Sequence, residues 1–161
     1  LTHSITHYLL AIHKLYEADE RTRYIDIANY MGVAKSSMSV AVRRLKENGL
    51  VDEDKNKNLF LTDKGHQDVH NTLTNRSLVY YFLTDVLGVS EESAEVDSCN
   101  IEHLIGLETQ EKLFEFLKNF CFEKTSHKRK QKFSFTTYAS LKDFKASQKG
   151  DSYLKNLKGS S

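Results

Sequence analysis

Residues 25–50 read IDIANYMGVAKSSMSVAVRRLKENGL. Ile25, Ile27, Ala28 and Met31 are the apolar positions of a short helix over 24–31, which Gly32 breaks. After Val33, the run Ala34-Lys35-Ser36-Ser37 opens a second helix, where a serine can accept an orphan backbone N–H. Met38, Val42 and Leu45 form its apolar stripe, and Asn48-Gly49 is a left-handed stop. Downstream, Leu50-Val51 and Leu59-Phe60-Leu61-Thr62 flank the polar stretch Asp52 to Asn58, the pattern of a hairpin. Upstream, Ile5, Tyr8, Leu9, Ile12, Leu15 and Tyr16 follow helical spacing, so 4–18 is an amphipathic helix. Helix, helix, glycine turn, helix and hairpin, in that order, make a winged helix-turn-helix.

That fold has a consequence for chemistry. The second helix of such a pair enters the DNA major groove, so its outer side must carry hydrogen-bond donors. Here that side offers Lys35, Ser36, Ser37, Ser39, Arg43 and Arg44. The hairpin tip offers Lys55, Asn56, Lys57 and Asn58, suited to phosphate contact. Val40 and Ala41 either touch a thymine methyl or pack inward. The competing interpretation is a helical domain whose basic helix is merely solvated.

The rest of the chain is helical in pattern. Thr62 or Asp63 can cap a long helix running to about Leu87, with Val69, Leu73, Leu78, Val79, Phe82, Leu83 and Val86 apolar and Gly88 ending it. Helices follow over 91–105 and 109–120. Beyond Cys121 no helical period is clean before 138–149. The 161 residues contain no proline and seven glycines, which favours helix. Charge divides them: residues 1–120 hold 13 Lys/Arg and 19 Asp/Glu, and residues 121–161 hold 10 and 3. A basic window over 35–57 within an acidic body points to a polyanion partner. No apolar run is long enough for a membrane helix, and residues 1–15 lack the pattern of a signal peptide. Two cysteines, Cys99 and Cys121, do not make a disulfide scaffold; a cytoplasmic protein with reduced thiols is expected. No phosphate loop, nucleophile elbow or catalytic carboxylate pair is present, so no enzyme is expected.

Cys99, Glu102 and His103 stand at i, i+3 and i+4, on one face of a helix. Thiolate, carboxylate and imidazole make a plausible shell for a borderline transition metal. A packed cysteine with two solvated neighbours has the same spacing. The stretch Asp97-Ser98-Cys99-Asn100-Ile101-Glu102-His103, reached by a long helix after a winged helix, resembles the metal-dependent repressor family of the diphtheria toxin repressor and the manganese transport regulator. Thr6-His7-Tyr8-Leu9-Leu10-Ala11-Ile12 in the first helix is similar as well, while Ile27 to Leu45, Gly49-Leu50-Val51 and Leu61-Thr62-Asp63-Lys64-Gly65 carry the pattern of a DNA-binding winged helix. The resemblance covers roughly residues 4–120.

The resemblance implies a homodimeric repressor of metal-homeostasis genes that binds double-stranded operator DNA. It places the primary metal ligands on His7, Cys99, Glu102 and His103. His7 is neither the Met of iron-type members nor the Asp of manganese-type members, yet it is a competent ligand. A second metal position is not expected, because Arg76 or Ser77 replaces its His, Tyr80 and Tyr81 stand where an acid is usual, and Leu10 replaces the further acid of manganese-type members. The tail after Cys121 is too short and too basic for the SH3-like domain of the larger members. Two imidazoles, a thiolate and a carboxylate suit Fe(II) best, with Zn(II) and Mn(II) as alternatives.

Elsewhere, His66 and His70 are four apart and can share a metal or lie solvated; His3 can assist His7. The basic run His127 to Lys132 either adds phosphate affinity or lies along the acidic 85–115 segment. The chain is thus expected to be mainly α with a small β-wing: a winged helix-turn-helix over 1–64, a helical metal-binding and dimerisation domain over 65–121, and a basic tail over 122–161. The expected function is a metal-activated, iron-responsive repressor. The alternatives are a winged-helix regulator that has lost metal control and a metal-binding interaction protein without DNA readout.

Overall fold

A computed structural model of the chain describes residues 3–18, 21–125 and 135–147. The helices are α1 (His3–Glu17), α2 (Tyr24–Met31), α3 (Lys35–Glu47), α4 (Asp63–Tyr81), α5 (Glu91–Ile101), α6 (Leu107–Thr125) and α7 (Leu141–Ser147). Strands β1 (Val51–Glu53) and β2 (Leu59–Leu61) lie between α3 and α4. The chain is therefore mainly helical with one two-stranded sheet. It forms two compact units that divide inside α4, between His70 and Asn71.

In the first unit the glycine turn is as the sequence dictates. Gly32 sits at φ 67 and its N–H closes α2 on Asn29 O. A side chain with a Cβ would be strained there. The expected serine cap on α3 is absent: Ala34 occupies the N-cap and no side chain caps the helix. Ser39 instead donates its hydroxyl back to Lys35 O at 2.9 Å. The hairpin pairs Val51 with Leu61, Asp52 with Phe60 and Glu53 with Leu59. Its tip is held by the Asp54 carboxylate, which accepts the N–H groups of Asn56 and Asn58, each at 2.8 Å. Thr62 ties the end of the wing to α4: it donates to Gly49 O at 2.7 Å and accepts the Gly65 N–H at 3.1 Å. Leu9, Ile12, Ile27, Met38, Leu45, Leu50 and Leu59 are the buried side chains that join three helices and the hairpin.

In the second unit α4 is prolonged by a π-helical turn, Phe82–Val86, and ends at Gly88 (φ 73). Ser90 caps α5, accepting the Ser93 N–H at 3.3 Å. α5 stops at Ile101, short of the expected 105, and α6 starts at Leu107, before the expected 109. The core is Leu78, Phe114, Leu117, Phe135 and Phe144, with Tyr81, Phe82, Leu113, Tyr138 and Leu141 around it. This corrects the interpretation of everything past Cys121 as a tail. A short 3-10 turn at Phe135–Thr137 and α7 deliver Phe135 and Phe144, both fully buried, into that core. The reason is area: burying two phenylalanines is worth roughly 1.5–3 kcal/mol each, enough to recruit a segment whose helical period is clean only over 138–149. The basic run 127–132, the segment 158–161 and the side chains of His3 and Cys121 lie outside what is described. Among the described residues, no helix is long and apolar enough to cross a membrane.

Candidate functional site

Each unit carries one set of candidate residues. In the first unit, Lys35, Ser36, Ser37, Ser39, Arg43 and Arg44 are all exposed on α3. The burial of Met38, Ala41, Val42 and Leu45 turns the opposite face inward. Val40 is 45% exposed and Ala41 4%, so of the two methyl-bearing candidates only Val40 faces out. Ser36, Ser37 and Arg44 line an open groove with Ile5 and Tyr8 of α1. Lys55 and Lys57 are exposed at the hairpin tip.

One carboxylate locks the wing to α3. Glu53 accepts Lys46 Nζ at 2.7 Å and lies 2.9 Å from Lys57 Nζ. Hydrogen bonds from these two lysines pull its pKa from the usual 4.5 down to about 2. The pairing orients Lys57, whose ammonium remains mostly exposed, and it was not legible in the sequence.

In the second unit, α5 and the residue after it present Cys99 and Glu102. Cys99 Sγ and a Glu102 carboxylate oxygen lie within 4.8 Å of each other. Glu102 is fully buried, and neither carboxylate oxygen accepts a hydrogen bond among the described residues. Its nearest cation is Arg76, whose Nε stands 3.8 Å from Oε2. Burial raises the Glu102 pKa to about 7, with Arg76 opposing. Burial also pushes the Cys99 thiol up, helped by Glu102 and opposed by Arg76. A thiol and a buried, under-bonded carboxylate are groups whose charged forms the fold alone does not satisfy. A divalent cation would satisfy both, so the donor set fits a metal. His103 is half-buried one residue on and is not part of the close group that holds Cys99 and Glu102. His7, half-buried, belongs to α1 of the first unit.

Two residues that position this site escaped the sequence reading. Asn75 is buried on α4 and donates its Nδ2 to Glu102 O at 2.7 Å and Ile105 O at 3.1 Å. Gln110 of α6, also buried, donates to Asn75 Oδ1 at 2.6 Å and Asn71 O at 3.3 Å. The turn after α5 is thereby pinned to α4. Amides in helices otherwise full of polar residues carry no signal in sequence. Arg76 had been noted only as occupying a family histidine position; its burial against Glu102 belongs to the fold.

A winged helix followed by a helical unit that presents a thiol beside a buried carboxylate is the layout of a metal-responsive transcription regulator. Comparison with known proteins agrees. Residues 1–59 match the iron dependent repressor N-terminal DNA binding domain, and residues 62–131 match the iron dependent repressor metal binding and dimerisation domain. An HTH-type transcriptional regulator of Methanocaldococcus jannaschii is 25% identical over 121 residues, covering 74% of this chain and 97% of that protein. The transcriptional regulator MntR of Escherichia coli is 30% identical over 105 residues, 65% of this chain and 67% of its own length. The solved structure of the manganese regulator SloR superposes with a TM-score of 0.61 at 28% identity, over 70% of this chain and 53% of SloR. The chain belongs to the iron-dependent repressor family and is a metal-dependent transcriptional regulator. Members of this family are transcriptional repressors rather than enzymes.

Proposed function

We propose that this protein is a cytoplasmic, homodimeric, metal-activated repressor that binds double-stranded operator DNA and responds to iron. The observation that carries the reading is the buried Glu102 carboxylate, which accepts no hydrogen bond at either oxygen among the described residues and lies beside Cys99 Sγ. His7, Cys99, Glu102 and His103 would hold the ion. Two imidazoles, a thiolate and a carboxylate favour Fe(II), with Zn(II) or Mn(II) as the competing choices, Mn(II) preferring harder oxygen ligands. The ion would supply positive charge beyond that of Arg76 to the half-buried Cys99 thiolate and the buried Glu102 carboxylate.

The residues of the chain would do the rest. Lys35, Ser36, Ser37, Ser39, Arg43 and Arg44 would meet base edges and phosphates in the major groove, and Lys55 and Lys57 the flanking backbone. Val96, Leu104 and Leu107 are 60–74% exposed on the second unit, an apolar surface that supports dimerisation through it. In a dimer the two recognition helices must stand about 34 Å apart, one DNA turn. Metal that binds this arrangement tenfold better tightens operator binding by about 1.4 kcal/mol, and DNA tightens metal binding by the same factor.

A second reading is favoured by Arg76. Its buried guanidinium already faces Glu102, so a fixed cation could hold the regulator in one state without metal. One experiment separates the two. The apo protein is titrated with Fe(II) anaerobically, then with Mn(II) and Zn(II), while the anisotropy of a fluorescent operator-region duplex is followed. Metal-stimulated binding that Cys99→Ala and His7→Ala abolish is expected. Equal binding with and without metal, unchanged in both variants, would overturn the metal-activated reading in favour of the second.

A further inference from the structure

The first unit contains a histidine cluster that the proposed function does not use. His13 of α1 is 2% exposed, and neither of its ring nitrogens makes a hydrogen bond among the described residues. The imidazoles of His66 and His70, on the first turns of α4, meet its ring edge to face with centroids 5.5 and 5.9 Å away. A Glu17 carboxylate oxygen lies 3.2 Å from His13 Nε2. We propose that His13, His66 and His70, with Glu17 or water as the fourth ligand, form a binding site for Zn(II) or a similar borderline divalent metal, distinct from the Cys99–Glu102 pair.

The chemistry is that of a three-imidazole, one-oxygen tetrahedral site. Histidine nitrogens bind zinc at about 2.0–2.1 Å, which sets the ring centres of two tetrahedral ligands roughly 5.2 Å apart. The observed spacings of 5.5 and 5.9 Å are wider, so the rings must turn and draw together by a few tenths of an ångström to share an ion. His66 and His70 stand at i and i+4 on one helix face, the spacing by which a helix offers two imidazoles to one ion. Both are half-buried. Simple ring packing would leave the two buried nitrogens of His13 only the Glu17 carboxylate, 3.2 Å from Nε2, at a cost. Burial pushes the His13 pKa below its usual value, with the Glu17 charge opposing and the two neighbouring histidines assisting. The ring is thus kept in the neutral, ligating form. An ion there would clip α1 to the start of α4 within the DNA-binding unit.

The test uses the full chain with His7→Ala, Cys99→Ser, Glu102→Gln and His103→Ala, which remove the four donors assigned to the other site. Zn(II) is titrated by calorimetry, and Co(II) by visible absorption, where a tetrahedral nitrogen–oxygen site gives d–d bands without thiolate charge transfer. The expected result is one equivalent of metal per chain and a zinc-dependent rise in the melting temperature. Adding His66→Asn and His70→Asn should weaken binding by more than about 100-fold and abolish the thermal shift. These two positions are half-exposed, so circular dichroism should stay unchanged; His70→Gln alone serves as a milder variant with the same expected direction. No binding to the parent, or equal binding after the histidines are replaced, would overturn the proposal. Neither result depends on whether Cys99 and Glu102 hold a metal.

Discussion

Asn75→Ala is the perturbation that best isolates how the second unit holds its candidate metal donors. The side chain is buried and makes three hydrogen bonds: to Glu102 O at 2.7 Å, to Ile105 O at 3.1 Å and from Gln110 Nε2 at 2.6 Å. Each is worth about 1 kcal/mol net, and a partner left buried and unsatisfied costs more. After truncation Gln110 Nε2 keeps only Asn71 O, at a long 3.3 Å. The expected loss is therefore about 3 kcal/mol, or roughly 6–12 °C in melting temperature for a chain of this size. Urea denaturation followed by circular dichroism measures it. A double-mutant cycle with Gln110→Ala should give a coupling of about 0.5–3 kcal/mol, because the two amides share a bond. A loss under about 1 kcal/mol with no coupling would refute the idea that this network anchors the turn carrying Glu102.

Three further outcomes follow from the first unit and its neighbours. A Cβ at Gly65 would overlap the Leu50 carbonyl oxygen, with Leu50 C at 3.0 Å and Leu61 Cβ at 3.3 Å, so Gly65→Ala should cost about 1–3 kcal/mol. Gly106→Ala, with nothing within 4 Å of the added carbon, should leave thermal stability nearly unchanged, and equal effects at both positions would count against the packing argument. Glu53 has a folded-state pKa of about 2, below its usual 4.5. Its stabilising effect is thus present above about pH 4.5 and is lost as pH falls towards 2. Stability measured across that window should fall less steeply in Glu53→Gln. On DNA, Arg44→Ala should weaken operator binding by about 1–3 kcal/mol if it reads a base, whereas Lys55→Ala should lower the salt dependence of binding by about one counterion. No change in either quantity would remove the residue concerned from the interface.

What the sequence determined by itself is what depends on local chemistry and period. The apolar stripe Met38, Val42 and Leu45, the stops at Gly32 and Gly49 and the alternation around the hairpin are set by backbone sterics and by which face must be buried. They specified a winged helix-turn-helix within a residue or two. The i, i+3, i+4 spacing of Cys99, Glu102 and His103 likewise put candidate donors on one side of a turn, although α5 ends at Ile101, and only Cys99 and Glu102 enter the close group. Other features depended on which distant segments meet. Phe135 and Phe144 enter the core because Leu78, Phe114 and Leu117 leave room for them, which no local pattern announces. Gly65 looked like a motif residue; its reason is the Leu50 backbone pressed against it. Lys46 and Lys57 converge on Glu53, Asn75 and Gln110 on one turn, Arg76 on Glu102, and His66 and His70 on His13, each across a separation that helical periodicity does not encode. Period decides which way a side chain faces; tertiary packing decides what it meets there, and charge and metal affinity depend on the second.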